Sequence, residues 1–457
     1  MVRGTMFRTF PARSWRALAL GLVLAAAPLA AQAPGAGTAG GPPRLRLSRD
    51  GRSYVTFGGQ LRERVEGWRG FNFAAPDTAT HDDVFALTRV RVSADLRLGG
   101  SVRVLAEARS SFATNRRLIG GKRPADVDGL DLQQGFLELS GRMLRSGGAT
   151  SARIGRQELA FGRELLVSTQ DWGSVRRTFD GISVIRSDRR VTVTSFLARP
   201  QRLSKDRFDP WDEHRALYGV YATGTSARGA TRFDAYWLGL SQDAASFNGT
   251  AGSERRQTVG ARASGALAGR LGDFDLEAAY QFGRLGGQRI GAWMVSALAG
   301  RRLSAAASAP RLWLGFDCAS GDGAGGGTVG TFNQLFPLAH AYFGYVDLVG
   351  RQNVVAGSGG LSWPVRAPLV LNLDGHVFRR ASAADAMYRA DGTVVRAGAA
   401  GTSKEVGSEL DLLLRYPANR HLMVVGGLSR FFPGAFIRES GPHANVDFAY
   451  LSLQYTM

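Results

Sequence analysis

Apolar and polar residues alternate along most of this chain. From Leu87 to Leu98, one face carries Leu87, Arg89, Arg91, Ser93, Asp95 and Arg97, and the other carries Thr88, Val90, Val92, Ala94, Leu96 and Leu98. A two-residue repeat is the mark of a β-strand, whose successive side chains point to opposite sides. Gly99-Gly100 then predicts a tight turn. Beyond it, Val102, Val104, Ala106 and Ala108 alternate with Arg103, Glu107 and Arg109. Earlier in the chain, Gln60, Arg62, Arg64 and Glu66 oppose Val55, Phe57, Leu61 and Val65; later, Asp275, Glu277 and Gln281 oppose Leu276, Ala278, Tyr280 and Phe282. The pattern runs to the last strand, "FAYLSLQYTM", in which Ala449, Leu451, Leu453, Tyr455 and Met457 form one apolar face. Past the N-terminal segment, no long stretch follows the 3.6-residue period of a helix.

The connections between these strands alternate in length. Short ones fall at Gly99-Gly100, Ser187–Arg190, Thr225–Gly229, Trp363–Pro368 and Pro417–Arg420. Long ones fall at Trp68–Asp83, Ala113–Leu130, Arg199–His214, Ala319–Arg351, Ala381–Thr402 and Phe431–Asn445. Tight turns on one side and long loops on the other are the plan of a bacterial outer-membrane barrel, and the tally predicts about eighteen strands, sixteen to eighteen at the bounds. The fold class expected is all-β, a single transmembrane antiparallel barrel. Energetics assign its faces. An arginine facing lipid at mid-bilayer costs about 2–4 kcal/mol, so the Val/Leu/Ala faces are expected to meet lipid and the Arg/Asp/Glu faces the lumen.

The N-terminus fits this destination. Arg3, Arg8, Arg13 and Arg16 precede an apolar run from Leu18 to Leu29 that is too short to span a bilayer as a helix. Residues 1–33 read as a signal peptide, cleaved after Ala31 or Ala33. Residues 34–52 read as a flexible leader and 53–457 as the barrel, in the outer membrane of a Gram-negative bacterium. No later run of about 18 apolar residues suggests a membrane helix.

Charge and composition narrow the chemistry. Lys and Arg number 57 against 38 Asp and Glu, a formal net charge of +19, and arginine carries nearly all of the basic charge. A GC-rich genome accounts for such a skew, and so does a site for anions, because a guanidinium grips carboxylates in pairs. Cys318 is the only cysteine and His residues number six, so no intramolecular disulfide, Cys-based metal site or His-rich centre is expected. On the first three strands, Arg62, Arg64, Arg89, Arg91, Arg97, Arg103 and Arg109 all fall on polar faces. They are expected both to brace the wall against Glu66, Asp95 and Glu107 and to draw anions into the lumen. Nucleic acid does not suit an outer-membrane lumen as a partner.

The stretch "ASGDGAGGGTVGTFNQLFPLAHAYFGYVDLVGRQN", Ala319–Asn353, offers other chemistry. Gly321–Gly326 matches a GxGxxG pattern, but no helix follows to hold a pyrophosphate. Gly35–Gly40 matches it as well, which marks the pattern as glycine bias. Asp322, His340 and Asp347 are acid/base candidates without a nucleophile motif beside them, so an outer-membrane barrel enzyme ranks third among the readings and no enzyme is expected. Asp317 and Asp322 could ligate Ca²⁺ only outside any loop consensus, and no cofactor or metal is expected. The stretch reads as a loop between two strands, with Tyr342, Phe343 and Tyr345 as packing aromatics.

Several segments together carry a family likeness. "SGD" at Ser320–Asp322, "GTFNQLFP", "HAYFGYVDLVGRQN", "GRQELAFGRELLVSTQDWGSVRRTFDGISV" at Gly155–Val184, "GSELDLLLRY" at Gly407–Tyr416 and "FFPGAFI" at Phe431–Ile437 resemble, in order, the alginate-export outer-membrane barrel family. The resemblance implies a monomeric barrel of about eighteen strands, within the ~8–26 such barrels use, that passes an anionic polysaccharide through an Arg-rich lumen, with outer-membrane lipid and periplasmic export proteins as partners. It makes Arg156, Arg163, Arg176, Arg177 and Asp180 candidates for the constriction; Arg163 stands where the family often has an acidic residue. A general or substrate-specific uptake porin for small anions or sugars is the alternative.

Overall fold

The computed structural model describes residues 43–457 except 76–79, 142–147, 227–230, 268–271, 324–326 and 339. The proposed signal peptide, leader residues 34–42 and the second half of the GxGxxG stretch lie outside the described residues.

Each alternating segment forms one strand of a single closed sheet. The strands are β1 (Tyr54–Arg69), β2 (Asp83–Leu98), β3 (Val102–Ala113), β4 (Asp128–Gly141), β5 (Ala149–Gln157) and β6 (Phe179–Ser187). Next come β7 (Val191–Pro200), β8 (Arg215–Thr225), β9 (Thr231–Phe247), β10 (Thr250–Ala266), β11 (Gly272–Leu285) and β12 (Gln288–Arg302). The last six are β13 (Arg311–Ala319), β14 (Val354–Arg366), β15 (Leu369–Arg379), β16 (Glu405–Pro417), β17 (Leu422–Pro433) and β18 (Val446–Thr456). Each pairs antiparallel with its sequence neighbours, and β18 closes on β1, with Gln60 opposite Thr456 and Arg69 opposite Asp447. This is an 18-stranded barrel, as the alternation predicts. Below the end of β18 a short strand, Arg44–Arg46, adds to β1 with Arg44 opposite Thr56.

The burial pattern reverses that of a soluble protein. Leu314 is 72% exposed, Leu197 59% and Val92 57%, whereas Arg89 and Arg109 are each 1% exposed. Apolar side chains on the outside and charged ones within are stable only if the outside meets hydrocarbon. Among the described residues, no helix is long and apolar enough to cross a membrane; the strands do so.

The connections depart from strict alternation. Two of those at the end that bears the long loops hold only two residues. Asn248-Gly249 joins β9 to β10 with φ of 44° and 84°, and Gly286-Gly287 joins β11 to β12 with φ of 53° and 85°. Two successive positive φ values make the turn whose twist matches a hairpin, so β9 and β10 rise as one ribbon of 17 residues a side. The long loop after β17 also folds into a short helix, α1 (Ala435–Glu439), which packs Phe436 and Ile437 inward.

Candidate functional site

Two long loops fill the barrel and narrow it. Loop 158–178 follows β5, and loop 320–353 follows β13. They meet edge to edge in a parallel bridge between Val167 and Phe336. The Phe336 N–H donates to Leu166 O at 2.8 Å, the Ser168 N–H to Phe336 O at 2.9 Å and the Leu338 N–H to Glu164 O at 2.9 Å. Buried backbone groups must find partners, and here each loop supplies them to the other. The apolar core of the molecule is built around this junction: Leu165, Leu166, Val167, Phe332, Phe336, Phe343 and Val346 belong to one buried cluster with Phe179, Leu217 and Phe378 of the wall.

The arginines of β1 and β2 hold the first loop in place. Arg62 donates to the carbonyls of Asp171 at 2.7 Å, Trp172 at 3.1 Å and Gly173 at 2.8 Å. Arg64 donates to Trp172 O at 2.6 Å, pairs with Glu66 at 2.8 Å and lies 3.9 Å over the Trp172 ring. Arg89 donates to Asp171 O and Gly173 O, and pairs with the Asp171 carboxylate at 3.0 Å. A guanidinium offers five donors in a fixed fork, so these three side chains satisfy most of a tight turn of backbone at 171–173. The turn is secured from below by Arg176, which bridges Glu158 and Asp171 at 2.5 Å each.

The other predicted residues occupy different places. Toward the short-turn end, Arg103 grips Asp95 through two nitrogens at 3.0 and 2.9 Å, and Arg97 lies 3.5 Å from the same carboxylate. Arg91 pairs with Glu107 at 2.6 Å. At the long-loop end, Arg109 bonds Asp128 at 2.7 Å and Asp209 at 2.5 Å. Arg156 joins Asp180 to Asp131, all at 3.1 Å. Asp128, Asp131 and Asp209 are close enough to resemble a cation site, but Arg109 and Arg156 already supply the positive charge that three buried carboxylates require. Arg156 and Asp180 thus anchor loop 201–214, whereas Arg163, 3.6 Å from Asp275, stands beside Tyr342 in the barrel.

Arg177 differs from these. It donates to Phe336 O at 2.6 Å, to Ser168 O and Pro337 O at 3.3 Å and to Gln170 Oε1 at 2.7 Å, with no carboxylate partner among the described residues. It borders a cavity of about 400 Å³ between the two loops and the wall of β7 to β9. Arg215, at the start of β8, lines the same cavity. No described residue forms a hydrogen bond or ion pair with its guanidinium. Burial, and next the positive charge of Arg215, push the Arg177 guanidinium down to about 10, which still leaves it charged at neutral pH. Six carboxamides, Gln170, Gln201, Gln242, Asn333, Gln334 and Gln352, line the cavity, and Asp391 is its one carboxylate. Arg215 escapes the sequence reading because it sits at a loop–strand boundary, where alternation says nothing about facing.

The acid/base candidates of loop 320–353 divide. His340 Nδ1 lies 2.8 Å from Asp347 Oδ2, and its ring stacks on Trp172 at 3.7 Å. Asp322 is elsewhere, accepting from the Gly330 N–H at 3.1 Å. Of the aromatics, Phe343 is buried, the Tyr342 hydroxyl donates to Arg163 O, and Tyr345 meets His340 edge-on at 4.4 Å. Tyr342 and Tyr345 lock the second loop onto the first, whereas Phe343 packs against Phe378 of the wall.

Comparison with known proteins agrees with this architecture. The family model described as alginate export matches residues 53–450. None of the curated proteins compared with the chain matches it. Among solved structures, the outer membrane protein opdK from Pseudomonas aeruginosa is 12% identical, with a TM-score of 0.58 over 88% of this chain and 98% of that one. OpdO from the same organism is 14% identical, with a TM-score of 0.59 over 88% and 97%. P. aeruginosa OccK2 (OpdF), solved in complex with glucuronate, is 11% identical, with a TM-score of 0.57 over 88% and 96%. At such identities the likeness is one of fold.

Proposed function

The chain belongs to the alginate export family, and we propose that this outer-membrane channel passes an acidic saccharide, a polyuronate or its oligomers. One observation carries the reading: positive charge at the narrowing is left without carboxylates. Among the described residues, Arg62 and Arg177 donate only to carbonyl and amide oxygens, and Arg215 makes no side-chain hydrogen bond or ion pair. Charge focused in a low-dielectric constriction raises the local concentration of the opposite ion. Export across the inner membrane uses residues 1–33, cleaved after Ala31 or Ala33, and the channel acts as a monomer without a cofactor. The His340–Asp347 pair reads as packing, its imidazole stacked on Trp172 and met edge-on by Tyr345.

The test is a planar bilayer under a salt gradient. The reversal potential should report anion preference, and polyuronate should block the current where a neutral oligosaccharide does not. Cation preference, or equal block by both, overturns the reading. The size of the cavity favours a second reading, uptake of small acids: about 400 Å³ falls within the range of small-molecule sites, about 300–1,000 Å³. Related barrels were solved with glucuronate and with vanillate.

A further inference from the structure

We infer that the cavity between the loops and the β7–β9 wall is a binding site for a single uronate residue, with Arg177 and Arg215 taking the carboxylate and the carboxamides taking the ring hydroxyls. The assignment rests on the channel reading above and names the ligand class at one place along the path.

Three features support it. First, Arg177 and Arg215 are drawn to one cavity although like charges repel, and neither has a carboxylate partner among the described residues. Two guanidiniums side by side are stable when an anion lies between them, and a planar carboxylate matches their donor geometry. Second, Gln352 is 3% exposed, yet its Oε1 has no hydrogen-bond partner. A buried acceptor left unmade is costly, and a hydroxyl from a ligand in the cavity would satisfy it. Third, the rest of the lining mixes carboxamides with apolar surface from Leu240, Leu335, Phe336 and Pro337. Neutral donor–acceptor groups against apolar faces suit a sugar ring, which has hydroxyl edges and C–H faces. A site for inorganic anions would need neither.

The two halves of the site can be separated. The Arg215 side chain forms no hydrogen bond or ion pair with a described residue, so Arg215→Gln should assemble normally, as heat-modifiability on a gel would confirm. Titration of the purified barrel with glucuronate should show weakening of about tenfold or more in that variant, the scale of a charge-assisted hydrogen bond. Arg420→Gln, in a short turn at the opposite end, should bind like the parent. Gln352→Leu should weaken glucuronate while leaving cyclohexanecarboxylate, a ring acid without hydroxyls, unchanged. Glucose should bind far more weakly than glucuronate. Unchanged glucuronate affinity in Arg215→Gln overturns the carboxylate clamp. Equal losses for both acids in Gln352→Leu overturn the hydroxyl half. If the parent conducts with anion preference but binds no glucuronate, the subsite fails and the channel reading stands; if it shows no anion preference, the channel reading itself fails.

Discussion

The seating of loop 158–178 on the wall is the sharpest point to attack. Replacing Arg62 and Arg89 together by alanine removes three hydrogen bonds to carbonyls from the first and two from the second, along with the 3.0 Å ion pair to Asp171. Both side chains are almost fully buried, at 5% and 1% exposure, so solvent does not take over their role. The Asp171 carboxylate is 48% exposed, so the cost lies in the charge-assisted hydrogen bonds to backbone carbonyls, about 1.5–3 kcal/mol for each guanidinium. Bonds sharing one guanidinium are not additive, and Arg64, Arg176 and Ser111 keep their hold on residues 171–174. About 4 kcal/mol for the pair is therefore a fair figure, equivalent to roughly a thousandfold shift toward the released loop. Trypsin supplies the assay, because Arg163, Arg176 and Arg177 lie within the loop. Cleavage through a rapidly closing open state follows the open population, so the double variant in liposomes should be cut at these sites about a thousandfold faster than the parent, with a larger and noisier single-channel conductance. Equal trypsin half-lives together with equal conductance would refute the anchoring argument.

Other outcomes follow from single features. Leu314→Arg places a charge on the lipid face of β13 and should cost about 2–4 kcal/mol in urea-titrated folding into bilayers; a loss under 1 kcal/mol would mean that this face does not meet hydrocarbon at that depth. Arg91→Ser with Arg103→Ser leaves Glu107 and Asp95 less compensated, so the reversal potential should move toward cation preference, and no shift would show that the pairs only brace the wall. Gly344 has φ of 81°, and a Cβ there would lie 2.2 Å from Glu409 Oε1; Gly344→Val should unseat loop 320–353 by about 1–3 kcal/mol, read as faster chymotrypsin cleavage at Tyr342 and Tyr345.

The barrel was legible because a membrane wall is written with a period of two. Leu87–Leu98 could be assigned strand, facing and environment from twelve letters, since each arginine on the wrong face would be costly. The loops obey no such rule. Nothing in "STQDWGSVRR" announces that its backbone carbonyls at Asp171, Trp172 and Gly173 would be claimed by arginines some hundred residues earlier. The polar faces of β1 and β2 were therefore read correctly as polar, but their partners could not be named. Asn248-Gly249 and Gly286-Gly287 are turn dipeptides, but two-residue turns at the end that bears the long loops run against the alternation of loop lengths. Arg215 remained out of reach for a simpler reason. It is distinguished by what it lacks, and a missing partner has no signature in sequence.

The ribbon of β9 and β10 has a practical consequence. Crossing the bilayer takes about 9–11 tilted residues, and each of these strands has 17, so several residues of paired backbone stand clear of the membrane. The two-residue tip at Asn248-Gly249 is the far end of a ribbon beside the Arg177–Arg215 cavity, whose wall includes Gln242 and Phe247 of the same strand. A short epitope or a single dye placed there would be displayed to the cell exterior on a hydrogen-bonded ribbon. Its distance to a probe on loop 320–353 would then serve as a ruler for whatever that loop does while cargo moves.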